Sequence, residues 1–100
     1  MAIITFLSRM KVFAEKEQQF IDCCKKLEAG VHNGSEPNTL LYKFYRLEEP
    51  LHYAVLESFT SHEAEEAHLA SDTFKAVVPD MIPCLDGGYH REYLYPLDDK

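Results

Sequence analysis

His68 stands among small side chains, Ala64, Ala67 and Ala70, which leave room for a ligand beside an imidazole able to accept a proton near neutral pH. That pairing suits general-base removal of a proton from a phenol or enol. The alternative is a partly buried histidine bonded to a backbone carbonyl. Glu57 is the second candidate. A carboxylate at the centre of an otherwise apolar run needs a partner, and Arg46, Lys43 or Arg91 could supply one. A structural ion pair is the first role this implies, and orienting or deprotonating a substrate hydroxyl is the functional one. Around both lie Tyr42, Phe44, Tyr53, Phe59, Phe74, Tyr89, Tyr93 and Tyr95, flat surfaces and phenols suited to enclosing a planar ring. Strands favour such residues for packing alone, so most of them serve the core or an interface.

Other chemistries find little support. His62 and His68 are six apart and do not share a helical face, while His52 and His90 fall on separate strands, so no metal site is expected. Cys23, Cys24 and Cys84 show no C-x-x-C spacing, and no nucleophile elbow, P-loop or dinucleotide fingerprint occurs. A formal net charge of −7 without a basic cluster argues against nucleic acid or an anionic membrane as partner. Three cysteines, two of them adjacent, make a disulfide framework improbable on geometry, which points to a reduced, cytoplasmic protein. The N-terminal run is interrupted by Thr5, Ser8, Arg9 and Lys11, so neither a signal peptide nor a membrane span is expected.

The elements that must position these residues follow from periodicity. One hundred residues suffice for a single domain, 1–100, that buries about two thirds of its unfolded surface. Ala2 to Val12 alternates as a strand. From Glu15 to Val31 the period becomes helical, with Phe20, Ile21, Cys24, Leu27 and Val31 on one face, and Gly30 and Asn33-Gly34 are expected to end it. Strands over Thr39–Leu47 and Leu51–Thr60 form a hairpin around Pro50. Thr60-Ser61-His62-Glu63 has capping-box spacing before a second helix. Ser71 or Asp72 caps a further helical stretch that Pro79 and Pro83 kink or end. Gly87-Gly88 is expected to turn the chain into a last strand, Tyr89–Pro96.

Strand, helix, strand, strand, helix, strand is the ferredoxin-like α+β pattern, with helices on one face of a four-stranded antiparallel sheet. The other face should then be polar. Instead Leu40, Tyr42 and Phe44 alternate with Leu41, Tyr45 and Leu47, and Tyr53, Val55 and Phe59 alternate with Ala54 and Leu56. Two apolar faces predict that the uncovered one meets a second copy of the chain, giving a homodimer.

Glu36, Pro37, Leu40 and Tyr42, then Glu57 and Phe59, then His68, Ser71 and Phe74 follow a spacing that resembles the antibiotic biosynthesis monooxygenase family. The resemblance extends from Ile3 to Tyr95 and implies a dimeric α/β barrel. It also implies catalysis without a cofactor, because an electron-rich phenolate or enolate can itself reduce oxygen once deprotonated and shielded from water. On that reading His68 takes the proton, Tyr42 and Glu57 orient oxygens, and Phe44, Phe59 and Phe74 form the walls. Some similar proteins degrade heme with an asparagine, a tryptophan and a histidine iron ligand. The matching positions here are Ser8, His68 and Val78, and no tryptophan occurs anywhere, which excludes that arrangement. Ser8 and Val78 are instead assigned to the substrate pocket.

The expected function is therefore oxidation of a small aromatic or quinol-like molecule by O2. Two competitors share the fold: an isomerase of small oxygenated metabolites, and a non-catalytic dimeric binding or stress module. An open cavity lined by Tyr42 and Phe74 would count against the second.

Overall fold

The computed structural model describes residues 3–97, so Ala2 and the outermost residues of the expected domain lie outside it. The elements run β1 (Ile4–Val12), α1 (Glu17–Val31), β2 (Thr39–Arg46), β3 (His52–Phe59), α2 (His62–Leu69), α3 (Asp72–Met81) and β4 (Leu85–Tyr93). Short 3-10 turns precede α1 at Ala14–Lys16 and follow α3 at Ile82–Cys84. The strands form one sheet in the order β2-β3-β1-β4 with every neighbouring pair antiparallel. This is the ferredoxin-like α+β architecture. Among the described residues no helix is long and apolar enough to cross a membrane.

The helical stripe of α1 buries Phe20, Cys23, Cys24, Leu27 and Val31 against Met10, Val12, Tyr53 and Val55 of the sheet and Val77 and Met81 of α3. Two serines start the later helices. Ser61 accepts from the backbone N–H of Ala64, and Ser71 from that of Phe74. The first of these caps is one residue beyond Thr60, where the capping-box spacing placed it.

Three other local expectations change. Gly30 does not stop α1; it lies inside the helix, where an added Cβ would sit 2.3 Å from Thr73 Cγ2 and 2.7 Å from Thr73 Cβ. The glycine exists to let α1 approach α3. Because Thr73 Cβ is itself too close, rotating that side chain gives no relief. Gly30→Ala should therefore cost about 1–3 kcal/mol, despite a gain of about 1 kcal/mol in helix propensity, and urea unfolding would measure it.

The last strand starts at Leu85, not after the glycine pair, and it ends at Tyr93. Between the pairs Met10↔Tyr89 and Val12↔Leu85 the register shifts, and Gly87 at φ +102° absorbs the extra residues. Sequence alone cannot separate a turn from a bulge when both want glycine. A second irregularity between Thr39 and Leu41 displaces Leu40 from its expected parity and leaves it exposed. The uncovered face is consequently more mixed than alternation implied. Leu7, Leu41 and Leu56 form its apolar middle, flanked by a Thr5–Ser58 hydroxyl contact of 2.9 Å and by Arg9–Glu92 and Lys11–Asp86 ion pairs.

Candidate active site

Period-two alternation and the strand register bring Ser8, Tyr42, Glu57 and Arg91 to the helix-covered face. Tyr42 pairs with Glu57, while Ser8 pairs with Val55 on one side and Arg91 on the other. Beneath α3 this face encloses a cavity of about 330 Å³, lined by those four residues, by Phe44, Phe74, Val78 and Met81, and by further apolar side chains. Its volume is at the small end of the range for ligand cavities. Leu69, Ile82 and Tyr89 also line it and are 43, 60 and 61% exposed, so they form an apolar mouth.

Glu57 is the carboxyl on this wall. Burial pushes it up to about 7; the Arg91 cation pulls the other way, and the Glu65 and Glu36 anions add to the rise. Arg91 is committed elsewhere. It donates to Glu65 Oε2 at 3.1 Å and to the Tyr93 hydroxyl at 3.2 Å, and its guanidinium lies 3.9 Å above the Phe6 ring. Of the other partners expected for Glu57, Arg46 approaches the Tyr53 hydroxyl, and Lys43 belongs to the opposite face of β2. Glu57 is thus left with a proton affinity suited to exchange near neutral pH. Tyr42 is pushed far above the usual phenol range by burial and by the Glu57 anion, so it remains a donor and orients without acting as a base.

His68 lies behind this wall, 1% exposed, with ring centroids of Tyr42, Phe74 and Phe59 at 4.7, 5.3 and 5.4 Å. Its Nδ1 is 2.9 Å from Glu36 Oε1 and its Nε2 is 3.9 Å from Glu57 Oε1. The Thr39 hydroxyl donates to the same Glu36 oxygen at 2.9 Å. On the far side of His68 a separate cleft of about 500 Å³ is bordered by Glu36, Ala64, Ala67 and Ala70. The small residues near the imidazole therefore open that cleft, not the cavity.

Residues 3–80 match the antibiotic biosynthesis monooxygenase family. The chain belongs to that family. A Caulobacter crescentus protein of antibiotic biosynthesis monooxygenase type is 32% identical, with a TM-score of 0.86 over 96% of this chain and 91% of that one. A conserved protein from Methanosarcina mazei is 28% identical, with a TM-score of 0.83 over 94% and 92%. A Mycobacterium tuberculosis protein at 14% identity shares the fold with a TM-score of 0.86 over 98% of both chains. No curated protein matches the chain.

In this antibiotic biosynthesis monooxygenase family member the cavity gathers Ser8, Tyr42, Phe44, Glu57, Phe74 and Val78 from among the residues singled out in the sequence. His68 and Phe59 do not line it. Phe59 is fully buried against Phe6 and Ala64, and its contribution to the site is the ring that packs on His68. Sequence reasoning missed Glu36 as a chemical group, although it stands within the family-like Glu-Pro pair, and missed Glu65 entirely. The signal for Glu65 was its place three residues before His68, on the same helical face.

Proposed function

We propose that the protein is a cofactor-independent monooxygenase of small, planar, electron-rich substrates such as quinols or anthrones. The observation that carries this reading is Glu57, a carboxyl of raised proton affinity on the wall of an apolar cavity that also contains Tyr42 and Phe74. Glu57 accepts the acidic substrate proton, Tyr42 donates a hydrogen bond to the oxygen that gains charge, and the aromatic walls exclude water. The substrate anion supplies the electrons. One atom of O2 forms the new carbon–oxygen bond and the other leaves as water, either when an anthrone methylene becomes a carbonyl or when a quinol ring C–H becomes C–OH as the ring is oxidised to the quinone, so no external reductant enters the balance.

His68 acts behind Glu57 on this reading, while Ser8, Phe44 and Val78 shape the cavity. A second copy of the chain covers the sheet face that carries Leu7, Leu41 and Leu56, completing a dimeric α/β barrel, a proposal supported by that apolar strip and by the family resemblance. A reducing cytoplasmic setting suits the buried free thiols of Cys23, Cys24 and Cys84.

Oxygen consumption by the purified protein, without added metal or flavin, tests the reading across a panel of quinols and anthrones. Uptake should exceed the spontaneous rate by at least about 100-fold and stop under anaerobic conditions together with product formation. Substrate conversion that continues equally well without oxygen would replace the oxygenase with an isomerase using the same base.

A further inference from the structure

His68 Nε2 and Glu36 Oε2 are both buried without a hydrogen-bond partner among the described residues, a costly state for two polar atoms so close to a cavity. The pattern around them has a chemical logic. Glu36 Oε1 receives the Thr39 hydroxyl and faces Nδ1 of His68. A carboxylate at Glu36 can only accept, and the network around it assigns the imidazole proton to Nδ1. The neutral ring then presents a bare Nε2, and its nearest acid is Glu57, 3.9 Å away on the cavity wall.

We propose that Glu36, His68 and Glu57 form a proton relay, in which Glu36 is a positioning residue that holds His68 with Nε2 unprotonated and aimed at Glu57. The proposal rests on the reading of the cavity as the place where substrate loses its proton. The proton passes from the substrate to a Glu57 oxygen, then to His68 Nε2 once the two side chains close their 3.9 Å separation to hydrogen-bonding distance or through one bridging water, which restores the Glu57 carboxylate. Glu36 stabilises the resulting imidazolium across the 2.9 Å contact at Nδ1. The reverse path returns the proton to the oxygen atom that leaves as water. Glu36 and His68 border the outer cleft while Glu57 borders the cavity, so the relay spans the wall between the two spaces.

The charged and titratable groups facing the relay are Tyr42 from β2, Glu65 from α2 and Arg91 from β4, with Cys24 and Glu28 of α1 beyond Tyr42 and Asp72 of α3 at the cleft. Glu65 and Arg91 neutralise each other through their 3.1 Å contact. Tyr42 remains protonated across the working range. Within the relay Glu57 and His68 are therefore the groups that pass the proton, and Glu36 only positions the imidazole.

Histidine 15N NMR on the wild-type protein, with His68 assigned through its contacts to the Tyr42 and Phe59 rings, tests the geometry without substrate. Neutral His68 should carry its proton on Nδ1, and its Nε2 resonance should report the ionisation of Glu57, a step that Glu57→Gln removes. Glu36→Gln should lower kcat for oxygen uptake by about 10- to 100-fold, the rate equivalent of losing one charge-assisted hydrogen bond to the imidazolium, with KM changed by less than about threefold and the pH profile displaced. An Nε2–H tautomer in the wild type, or a Glu36→Gln protein with unchanged kcat and pH profile, would overturn the relay. If those results accompany uptake that Glu57→Gln abolishes, the relay falls and the monooxygenase reading stands. If uptake never exceeds background while the tautomer and the coupled step are found, the relay stands and the oxygenase reading falls.

Discussion

Glu57→Gln is expected to lower kcat for oxygen-coupled turnover by about 10²- to 10⁴-fold, the contribution of a positioned general base. The substitution keeps the size and shape of the side chain, so the β2–β3–β1 ladder that holds it is undisturbed. What disappears is the ability to take a proton. The same group sets the pH dependence of the wild type. The base must be ionised to act, so kcat/KM should rise as pH increases through about 7 and level off above it. Glu57→Gln removes that rise.

Stability should move in the opposite sense. The folded-state proton affinity of Glu57 is raised from 4.5 to about 7, so between those values the folded chain binds more protons than the unfolded one. Wild-type stability therefore falls as pH rises through this window, by about 3 kcal/mol at most, and stays low above it. Glu57→Gln has no such penalty and should be the more stable protein at pH 8. A gain in stability together with a loss of rate is the signature of a group kept for chemistry. Urea denaturation of both proteins at pH 5 and pH 8 measures it. Equal slopes with pH would deny Glu57 its raised proton affinity.

His68→Ala should cost about 3–5 kcal/mol of folding stability in addition to a severe loss of turnover. Removing the imidazole deprives buried Glu36 of its partner, leaving that carboxylate with the Thr39 hydroxyl alone. It also leaves a void between the rings of Tyr42, Phe59 and Phe74, whose contacts with the histidine are all lost. Folding and chemistry can be separated because the adjacent cleft leads to that void. Added imidazole should restore part of the rate without restoring the full unfolding midpoint. A stability change below about 1 kcal/mol would remove His68 from its structural role, and turnover equal to wild type would remove it from the chemistry.

These two predictions concern residues that the sequence singled out, placed by the fold at different distances from the cavity. From the chain alone His68 is the first candidate for the base, and Glu57 is half of an ion pair or a group that orients or deprotonates a substrate hydroxyl. In the fold Glu57 faces the cavity and His68 supports it from behind. Element types and order were legible because local signals determine them: alternation in β1 to β3, the Phe20-Cys24-Leu27-Val31 stripe of α1, the Ser61 and Ser71 caps. A hydrogen-bonding cap or an amphipathic period is complete within a few residues, so its energy is written in adjacent letters.

Element boundaries at glycine were less legible. Gly30 and Gly87 each satisfied two readings, stop or close approach in one case and turn or bulge in the other. Only the position of Thr73 and the partner strand distinguishes them.

The geometry of the candidate site required more still. Glu36 and His68 are separated by 32 residues and come from the loop before β2 and from α2, yet they meet at 2.9 Å. Whether an imidazole edge opens to a cavity or to the cleft behind it depends on the register of β2 on β3 and on how α2 settles over both. By itself the sequence determined the family, the ferredoxin-like order of elements and the polar and aromatic residues Ser8, Tyr42, Phe44, Glu57 and Phe74 that line the cavity. Only the tertiary structure decided which carboxylate faces the cavity and which stands behind the histidine, because proton affinity and reach depend on burial and on distances of a few ångström between segments far apart in the chain.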